Sequence, residues 1–484
     1  MDAEIAVIAD DLTGAMDTGV QFCKNGMRTV VYFGGCLAVE KQGSAIKPEV
    51  IVIDTDTRWE SPGRAYEKVR KISEILKLTG IKRVYKKVDS TLRGNVGSEL
   101  NAVMDAWNAH LAYVAPAFPA MRRVTVDGRQ LLNGKPLEDT EIASDLISPA
   151  RSSYIPEILE YRPERKIAHI GLQEIEMGEH SLVKRIAELV REGMQILVLD
   201  AVTQDHLGII ARAIAKSEFH EVMCGSAGLA AELPGAFGLV GQKPCGILRL
   251  KKGLPALVVA GSRSQITQEQ LRFLGANKDL SVRWLTLDID ETVSGMTSPV
   301  VSERSAGNGT MLARREVELQ EQGELIARDA IQALEDGKSV IVSVRSENGG
   351  GSESWGDSKE GKGRLGDMKA LPDDGLRPRI DLEEAHSDII DLSQSMVDQL
   401  GRIARRVIDA APVSGIVLTG GDTAASVCRA ISASGIALLD EILPGIPLGE
   451  IIGGPFEGLV VVTKAGAFGD ERALADVLNY LIQK

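Results

Sequence analysis

The stretch IAVIADDLTGAMDTG, residues 5–19, decides the fold class. Its first five residues are all apolar, as in a strand that is buried on both faces of a parallel sheet. Two aspartates follow directly, and after them come a Thr-Gly step and a segment with helical spacing. A strand that passes through a short polar turn into a helix begins a βαβ unit, so this stretch predicts an α/β protein.

Similar apolar runs alternate with helical patterns along the rest of the chain. They are TVVYF (29–33), EVIVID (49–54), KRVYKKV (82–88), LAYVAP (111–116), KIAHIG (166–171), QILVLD (195–200), PALVVAG (255–261), SVIVSV (339–344), GIVLTGG (415–421) and GLVVVTKAGAFG (458–469). Strands that are separated by helices form largely parallel sheets. We therefore predict an α/β fold with two domains, each a mostly parallel sheet flanked by helices.

The division into domains rests on length and on one break in composition. The chain has 484 residues, about twice the size at which a single core stops growing. Residues 234–255 are rich in Gly and Pro and lose any hydrophobic period. We predict an N-terminal domain over 1–235, a linker over 236–254 and a C-terminal domain over 255–484. Residues 346–379 are rich in Gly and charge, so we expect a mobile surface insertion there.

Overall composition excludes several classes of partner. The formal net charge of −13 argues against non-specific binding of nucleic acid or of an anionic membrane, since both need a basic surface. No apolar run reaches membrane-spanning length and no leader sequence is recognisable, so we expect a cytoplasmic protein. The five cysteines are scattered, as expected of reduced thiols, and no histidines are paired at metal-ligand spacing.

Four strand ends in the first half of the chain are unusually polar. They are residues 10–14 (DDLTG), 54–58 (DTDTR), 86–94 (KKVDSTLRG) and 116–123 (PAFPAMRR). Ligands of open parallel sheets bind at the carboxyl ends of strands. Arginine and lysine can hold a carboxylate while aspartates accept hydrogen bonds from hydroxyls, so this pattern favours a small polyol acid. The alternative is structural: Asp11 or Thr13 caps a helix, and Asp89 and Ser90 form a turn.

Three strand ends in the second half are rich in glycine instead. They are residues 261–264 (GSRS), 419–423 (TGGDT) and 464–469 (KAGAFG), and each leads into a helix. Glycines let backbone N–H groups approach a ligand closely, and a helix N-terminus attracts anions. The three turns together predict a nucleotide site, although any one of them can be a simple turn.

These motifs in combination resemble the four-carbon acid sugar kinase family. The resemblance is carried by DDLTG (10–14), KVDSTLRGN (87–95), GSAGLA (225–230), GGDTA (420–424) and KAGAFG (464–469), and it spans nearly the whole chain. Enzymes of this family phosphorylate threonate, erythronate or oxo-tetronate with ATP. The resemblance implies an N-terminal sugar-acid domain, a C-terminal ATP domain and an active site in the cleft between them.

The resemblance also implies roles for individual residues. On the sugar-acid side it points to one aspartate of the pair Asp10 and Asp11, to Arg58, and to Lys87, Val88, Asp89 and Ser90. On the nucleotide side it points to Ser262, Ser264, Gly420, Gly421, Asp422, Thr423 and Gly466.

Our hypothesis is an ATP-dependent kinase acting on a hydroxyl of a four-carbon sugar acid. ATP and Mg²⁺ are the expected cofactors, with Mg²⁺ bridging phosphate oxygens and its protein ligands left open. Arg58, Lys87 and Arg93 would hold the substrate carboxylate. One of Asp10 and Asp11 would cap the next helix and leave the other to orient or deprotonate the acceptor hydroxyl. The oligomeric state is left open, and a homodimer is possible.

Two other functions stay open at this point. A nicotinamide-dependent sugar-acid dehydrogenase would use a similar cleft, but no GxGxxG motif follows a strand in this chain. A non-catalytic sugar-acid sensor would need only the first domain, and it would leave the glycine-rich turns of the second domain unexplained.

Overall fold

The computed structural model describes residues 3–34, 47–144, 150–219, 221–239, 241, 253–288, 308–345 and 382–483. The predicted insertion at 346–379 lies outside these residues, and so do residues 240 and 242–252 of the predicted linker.

Strands and helices alternate along both halves of the chain. The strands are β1 (Ile5–Ala9), β2 (Thr29–Tyr32), β3 (Val50–Asp54), β4 (Arg83–Lys87), β5 (Ala112–Ala115), β6 (Arg123–Val126), β7 (Arg129–Leu132), β8 (Lys135–Pro136), β9 (Ile167–Ile170), β10 (Ile196–Leu199), β11 (Val222–Gly225), β12 (Leu257–Ala260), β13 (Val282–Leu287), β14 (Ser339–Val344), β15 (Ile416–Thr419), β16 (Gly435–Leu443), β17 (Ile446–Ile452) and β18 (Val460–Lys464). The helices are α1 (Leu12–Lys24), α2 (Pro62–Leu78), α3 (Val96–Trp107), α4 (Ile155–Leu159), α5 (Leu172–Glu176), α6 (Glu179–Arg191), α7 (Gln204–Lys216), α8 (Ala227–Ala236), α9 (Gln265–Ala276), α10 (Asn308–Glu335), α11 (Leu382–Ala410), α12 (Gly421–Ala430) and α13 (Ala473–Gln483).

Fifteen of the described strands form one continuous sheet, in the order β13-β14-β12-β15-β18-β17-β16-β2-β3-β1-β4-β11-β5-β10-β9. The strands from β2 to β9 in this order are parallel to one another. Strands β13, β14, β12, β15 and β18 are also parallel. The antiparallel hairpin of β16 and β17 joins the two sets, because β17 pairs with β18 and β16 pairs with β2.

Helix α1 lies between the two halves. It packs on β1, β2 and β3 of the first half and on β16, β17 and α12 of the second. All its residues from 12 to 23 are buried, since both halves cover it. Gly19 permits the close approach of β16, because a Cβ there would lie 2.7 Å from Leu438 Cδ1. The first turn of this helix is thereby fixed at the junction of the two halves.

A small antiparallel sheet of β6, β7 and β8 supports the turn that follows β4. Arg123 Nη1 donates to Ser90 Oγ at 2.9 Å. Gln130 Nε2 donates to the carbonyl oxygen of Ser90 at 2.7 Å. The position of Ser90 is therefore set by side chains from this sheet.

The predicted α/β class is confirmed, and every apolar run named above forms a strand. The joining of both parallel sets into one sheet was not predicted. The sequence interpretation also missed β11, β13, the hairpin of β16 and β17, and the sheet of β6 to β8. Strand β13 is partly exposed and alternates in polarity, so it does not read as a buried run.

Cys23, Cys224 and Cys428 are buried and free, as expected, while Cys36 and Cys245 lie outside the described residues. In the described part of the chain, no helix combines the length and apolar character that crossing a bilayer requires.

Candidate active site

The polar strand ends of the first half meet at one place in the sheet. Strands β3, β1 and β4 are neighbours, so the residues that follow them lie together. They comprise Asp10 and Asp11 after β1, Arg58 after β3, and residues 87–90 at the end of β4. We call this group the acid subsite.

Arg58 binds both aspartates. Its Nε donates to Asp10 Oδ2 at 2.7 Å, and its Nη2 donates to Asp10 Oδ1 at 3.1 Å and to Asp11 Oδ1 at 2.7 Å. Burial opposes ionisation of Asp10, but Arg58 and Lys86 outweigh it and lower the pKa of this carboxyl. Burial opposes the charge of Arg58 as well, yet the two aspartates raise its pKa well above the ordinary value. Two of the three guanidinium nitrogens are therefore engaged by protein carboxylates.

Asp11 faces the second half of the chain. Its Oδ1 accepts a hydrogen bond from the N–H of Gly14 at 3.0 Å, which caps α1. Its Oδ2 points the other way, because a Cβ on Gly421 would lie 2.8 Å from it. Burial raises the pKa of the Asp11 carboxyl, and Asp10 adds to this while Arg58 opposes it. Asp11 is therefore the capping aspartate and also faces the other half, while Arg58 holds Asp10. Which of the two serves the substrate stays a prediction.

Strand β4 sends its two lysines to opposite sides, as successive strand residues do. Lys86 forms a fully buried ion pair with Glu99 at 2.8 Å. Lys87 points to α1, where a Cβ on Gly14 would lie 2.6 Å from Lys87 Nζ. Within the described residues, the Lys87 ammonium has no hydrogen-bond or ion-pair partner, although it is only 4% exposed. Lys87 is thus a cation that an anionic ligand can engage.

The rest of this stretch mainly builds the turn. Val88 donates its N–H to a carbonyl at the end of β11, and its side chain belongs to the apolar core. Asp89 Oδ2 accepts hydrogen bonds from Thr91 Oγ1 and Arg93 Nε, both at 2.6 Å. Despite burial, Arg93 holds the pKa of the Asp89 carboxyl well below its usual value. Arg93 is therefore paired with Asp89, and Val88 offers a ligand no polar side chain.

We call residues 261–264, 419–423 and 464–469 the nucleotide turns. They follow β12, β15 and β18, which are neighbours in the sheet. Hydroxyl groups of one turn pack against glycines of the next and leave no room for a side chain there: a Cβ on Gly261 would lie 2.2 Å from Thr423 Oγ1, and one on Gly466 would lie 2.2 Å from Ser262 Oγ. Gly420 has φ +102°, which favours glycine. Helices α9 and α12 begin here, so N–H groups and hydroxyls form a cradle suited to phosphate.

Lys464 fixes the course of the third nucleotide turn. It is completely buried, and its Nζ donates to the carbonyl oxygens of Ala465 at 2.8 Å, Gly466 at 3.1 Å and Phe468 at 3.1 Å. Ser264 Oγ donates to the same Gly466 oxygen at 2.7 Å. Burial lowers the pKa of the Lys464 ammonium to about 7. The sequence interpretation placed a lysine beside this turn, and the structure shows that it binds the turn's own backbone.

The acid subsite and the nucleotide turns face each other across the junction. Besides the approach of Gly421 to Asp11, Trp59 Nε1 donates to Asp422 Oδ1 at 3.0 Å. The Phe118 and Phe468 rings pack edge to face, with centroids 6.3 Å apart. A ligand bound in one group therefore lies close to a ligand bound in the other.

Asp17 is a polar residue of this junction that sequence reasoning missed. It is 4% exposed, and its Oδ1 has no hydrogen-bond partner among the residues that the structure describes. Burial raises the pKa of its carboxyl to about 7, and Lys87 opposes the shift. The sequence offers one signal for it. Asp17 lies four residues after Thr13 of the polar strand end 10–14, and residues four apart share a helix face.

The donor set offers little to a metal ion by itself. Among the described residues, no group of three His, Cys, Asp or Glu side chains could hold one. Asp11 Oδ2 and the hydroxyls of the nucleotide turns are hard oxygen donors of the kind that Mg²⁺ prefers. Mg²⁺ would fit there with phosphate oxygens and water as its other ligands.

Comparison with known proteins agrees with this arrangement. A model of a sugar-binding N-terminal domain matches residues 5–233, and a model of a nucleotide-binding C-terminal domain matches residues 372–474. A D-threonate kinase of Salmonella typhimurium is 31% identical over 99% of this chain and 98% of its own length. The chain belongs to the four-carbon acid sugar kinase family.

Other members of this family align equally far. A D-erythronate kinase of Heliobacterium modesticaldum is 28% identical over 100% of this chain and 98% of its own length. A solved structure from Salmonella typhimurium LT2 matches 98% of both chains at 22% identity with a TM-score of 0.69, which shows a shared fold. The family resemblance stated from the motifs is confirmed.

The first prediction concerns Asp17. Its folded-state pKa is about 7, whereas an unfolded chain has about 3.9. Between these values the unfolded state releases a proton that the folded state keeps, so the contribution of Asp17 to wild-type stability falls as pH rises from about 4 to about 7 and then stays low. Asp17→Asn lacks this loss and should be more stable near pH 8, by up to roughly 4 kcal/mol.

Urea unfolding of wild type and Asp17→Asn at pH 4, 6 and 8 measures this effect. The advantage of the variant should be smallest at pH 4 and largest at pH 8. A difference that does not change with pH would show that the Asp17 carboxyl is ionised throughout this range.

The second prediction concerns Gly466. A methyl group there would displace Ser262 Oγ from the first nucleotide turn. Gly466→Ala should therefore weaken ADP binding by 10-fold or more, about 1.4 kcal/mol. Calorimetric titration with ADP measures the change. Gly235→Ala is the matched control, because nothing lies within 4 Å of a Cβ at Gly235. Unchanged ADP affinity in a folded Gly466→Ala variant would place the nucleotide elsewhere.

Proposed function

We propose that this protein is an ATP-dependent kinase that phosphorylates a hydroxyl of a four-carbon sugar acid of the threonate, erythronate or 3-oxo-tetronate type. The contact between the acid subsite and the nucleotide turns carries this proposal. A Cβ on Gly421 would lie 2.8 Å from Asp11 Oδ2. An acceptor hydroxyl bound beside Asp11 is therefore next to the phosphate cradle. Phosphoryl transfer depends mainly on such positioning and on charge neutralisation.

The chain's own groups have separate tasks in this proposal. Asp11 orients the acceptor hydroxyl and takes its proton on Oδ2, for which a raised pKa is suited. Arg58 and Asp10 hold Asp11 in place through the hydrogen bonds to its Oδ1 and to each other. The N–H groups and hydroxyls of the nucleotide turns bind the phosphates of ATP.

Mg²⁺, when bound, would neutralise charge on the phosphate oxygens. Lys87 supplies a cation on the substrate side, where its ammonium lies against the first turn of α1.

An ADP-release assay tests the proposed function. The protein is incubated with ATP and Mg²⁺ and with D-threonate, D-erythronate or 3-oxo-tetronate in turn. ADP formation above the blank without acid is expected for at least one of the three. A blank-level rate with all three acids would contradict the kinase, while reduction of a nicotinamide cofactor by an acid would favour a dehydrogenase.

The third prediction separates the two aspartates. Asp11→Asn keeps an oxygen for the cap of α1 but removes the charge that faces Gly421, so kcat should fall about 100-fold or more with little loss of stability. Asp10→Asn removes a carboxylate from the buried pair with Arg58, so it should lower the free energy of unfolding by roughly 3–5 kcal/mol.

Steady-state ADP assays and urea unfolding of both variants give the two readouts. An Asp11→Asn enzyme with kcat near that of wild type would remove Asp11 from the reaction. A stable Asp10→Asn variant would show that Arg58 does not need its carboxylate.

A further inference from the structure

Arg123 is a buried cation beside the acid subsite. It begins β6, and it is only 6% exposed. Its Nη1 donates to Ser90 Oγ at 2.9 Å, and its Nε has no hydrogen-bond partner in the described part of the chain. None of the carboxylates described lies within ion-pair distance of its guanidinium. Such a charge is unfavourable in a protein interior unless something of opposite charge joins it.

The other two arginines of the acid subsite differ in this respect. Arg58 binds Asp10 and Asp11, and Arg93 binds Asp89. Their charges are already balanced by carboxylates of the chain. Of the cations around the acid subsite, Arg123 and Lys87 are those left without a described carboxylate partner.

Arg123 also occupies the right place for a ligand of both halves. The described hydrogen bond of its side chain is to Ser90 of the acid subsite. Its guanidinium carbon lies 5.0 Å from the centre of the Phe468 ring, which belongs to the third nucleotide turn. The side chain therefore lies at the junction but is hydrogen-bonded to the sugar-acid side.

Resting on the proposed function, we propose that Arg123, together with Lys87, binds the carboxylate of the sugar acid, and that Arg58 instead organises the two aspartates. A guanidinium offers a planar fork of N–H donors that matches a carboxylate in two parallel hydrogen bonds. Burial strengthens these bonds, because little water competes for them. Arg123 is thus a specificity-determining residue for acids over neutral polyols.

A substrate lacking the negative charge tests this assignment. The probes are D-threonate and D-erythronate, each paired with its neutral carboxamide, and the proteins are wild type, Arg123→Gln and Arg122→Gln. Arg122 is the adjacent, exposed arginine and serves as the matched control. Binding is measured by calorimetry without ATP, and kcat and KM are measured with ATP.

Arg123→Gln should weaken binding of the acid and raise its KM by about 10- to 150-fold, the range of a charged hydrogen bond. Its affinity for the carboxamide should stay within about 2-fold of wild type, and its affinity for ADP should not change. Arg122→Gln should resemble wild type with every ligand. If Arg123→Gln fails to fold, Arg123→Lys keeps the charge and loses the fork, and the same acid-specific weakening is expected.

Equal losses with acid and carboxamide would overturn the proposal, since Arg123 would then act by holding Ser90. Loss of ADP affinity would overturn it in favour of a phosphate contact. The binding data also separate this inference from the kinase itself. An acid that binds wild type tightly, binds Arg123→Gln weakly and yields no ADP would support the inference and contradict the kinase. Failure of wild type to bind either acid would overturn the inference as well.

Discussion

The burial of α1 between the two halves determines where the candidate residues lie. Its apolar side chains Leu12, Met16, Val20 and Phe22 are at most 1% exposed, and each contributes roughly 1.5–3 kcal/mol by leaving water. A shift of the helix away from either half would expose these side chains to water. Asp11 caps this helix, and Thr13 and Asp17 lie on it, so the core rather than any surface loop fixes their distance from the nucleotide turns.

The distribution of charge follows from the same arrangement. The protein carries a formal net charge of −13, which repels an anionic substrate at long range. The acid subsite counters this locally, since Asp10, Asp11 and Asp89 are each bound by an arginine. Lys87 and Arg123 then remain as cations without a described carboxylate partner. Two kinds of positive charge are present: one holds the site's own carboxylates, and the other is open to a ligand.

Local sequence was sufficient for the features that depend on position along a strand. The polar and glycine-rich turns could be located because each follows an apolar run, and neighbouring parallel strands bring such turns together. Local sequence was insufficient for features that depend on contacts between residues far apart in the chain. Lys86 and Lys87 are the same residue type, and only the three-dimensional structure shows that Lys86 forms an ion pair with Glu99. The sequence does not show that Arg58 is already paired with Asp10, because the two residues follow different strands. Arg58 therefore looked available to bind a substrate. In the sequence, Arg123 is one member of the polar strand end at 116–123, and nothing local distinguishes it from Arg122.

The pairing of β16 with β2 has a consequence for synthesis of the chain. Strand β2 is the edge of the first parallel set until residues 435–437 pair with residues 30–32. At 5–20 residues per second, a ribosome needs roughly 20–80 s to make the chain between them. During that time β2 presents unpaired N–H and C=O groups, and one side of α1 lacks its cover. The nascent N-terminal half is therefore exposed to edge-to-edge association, the hazard against which chaperones act.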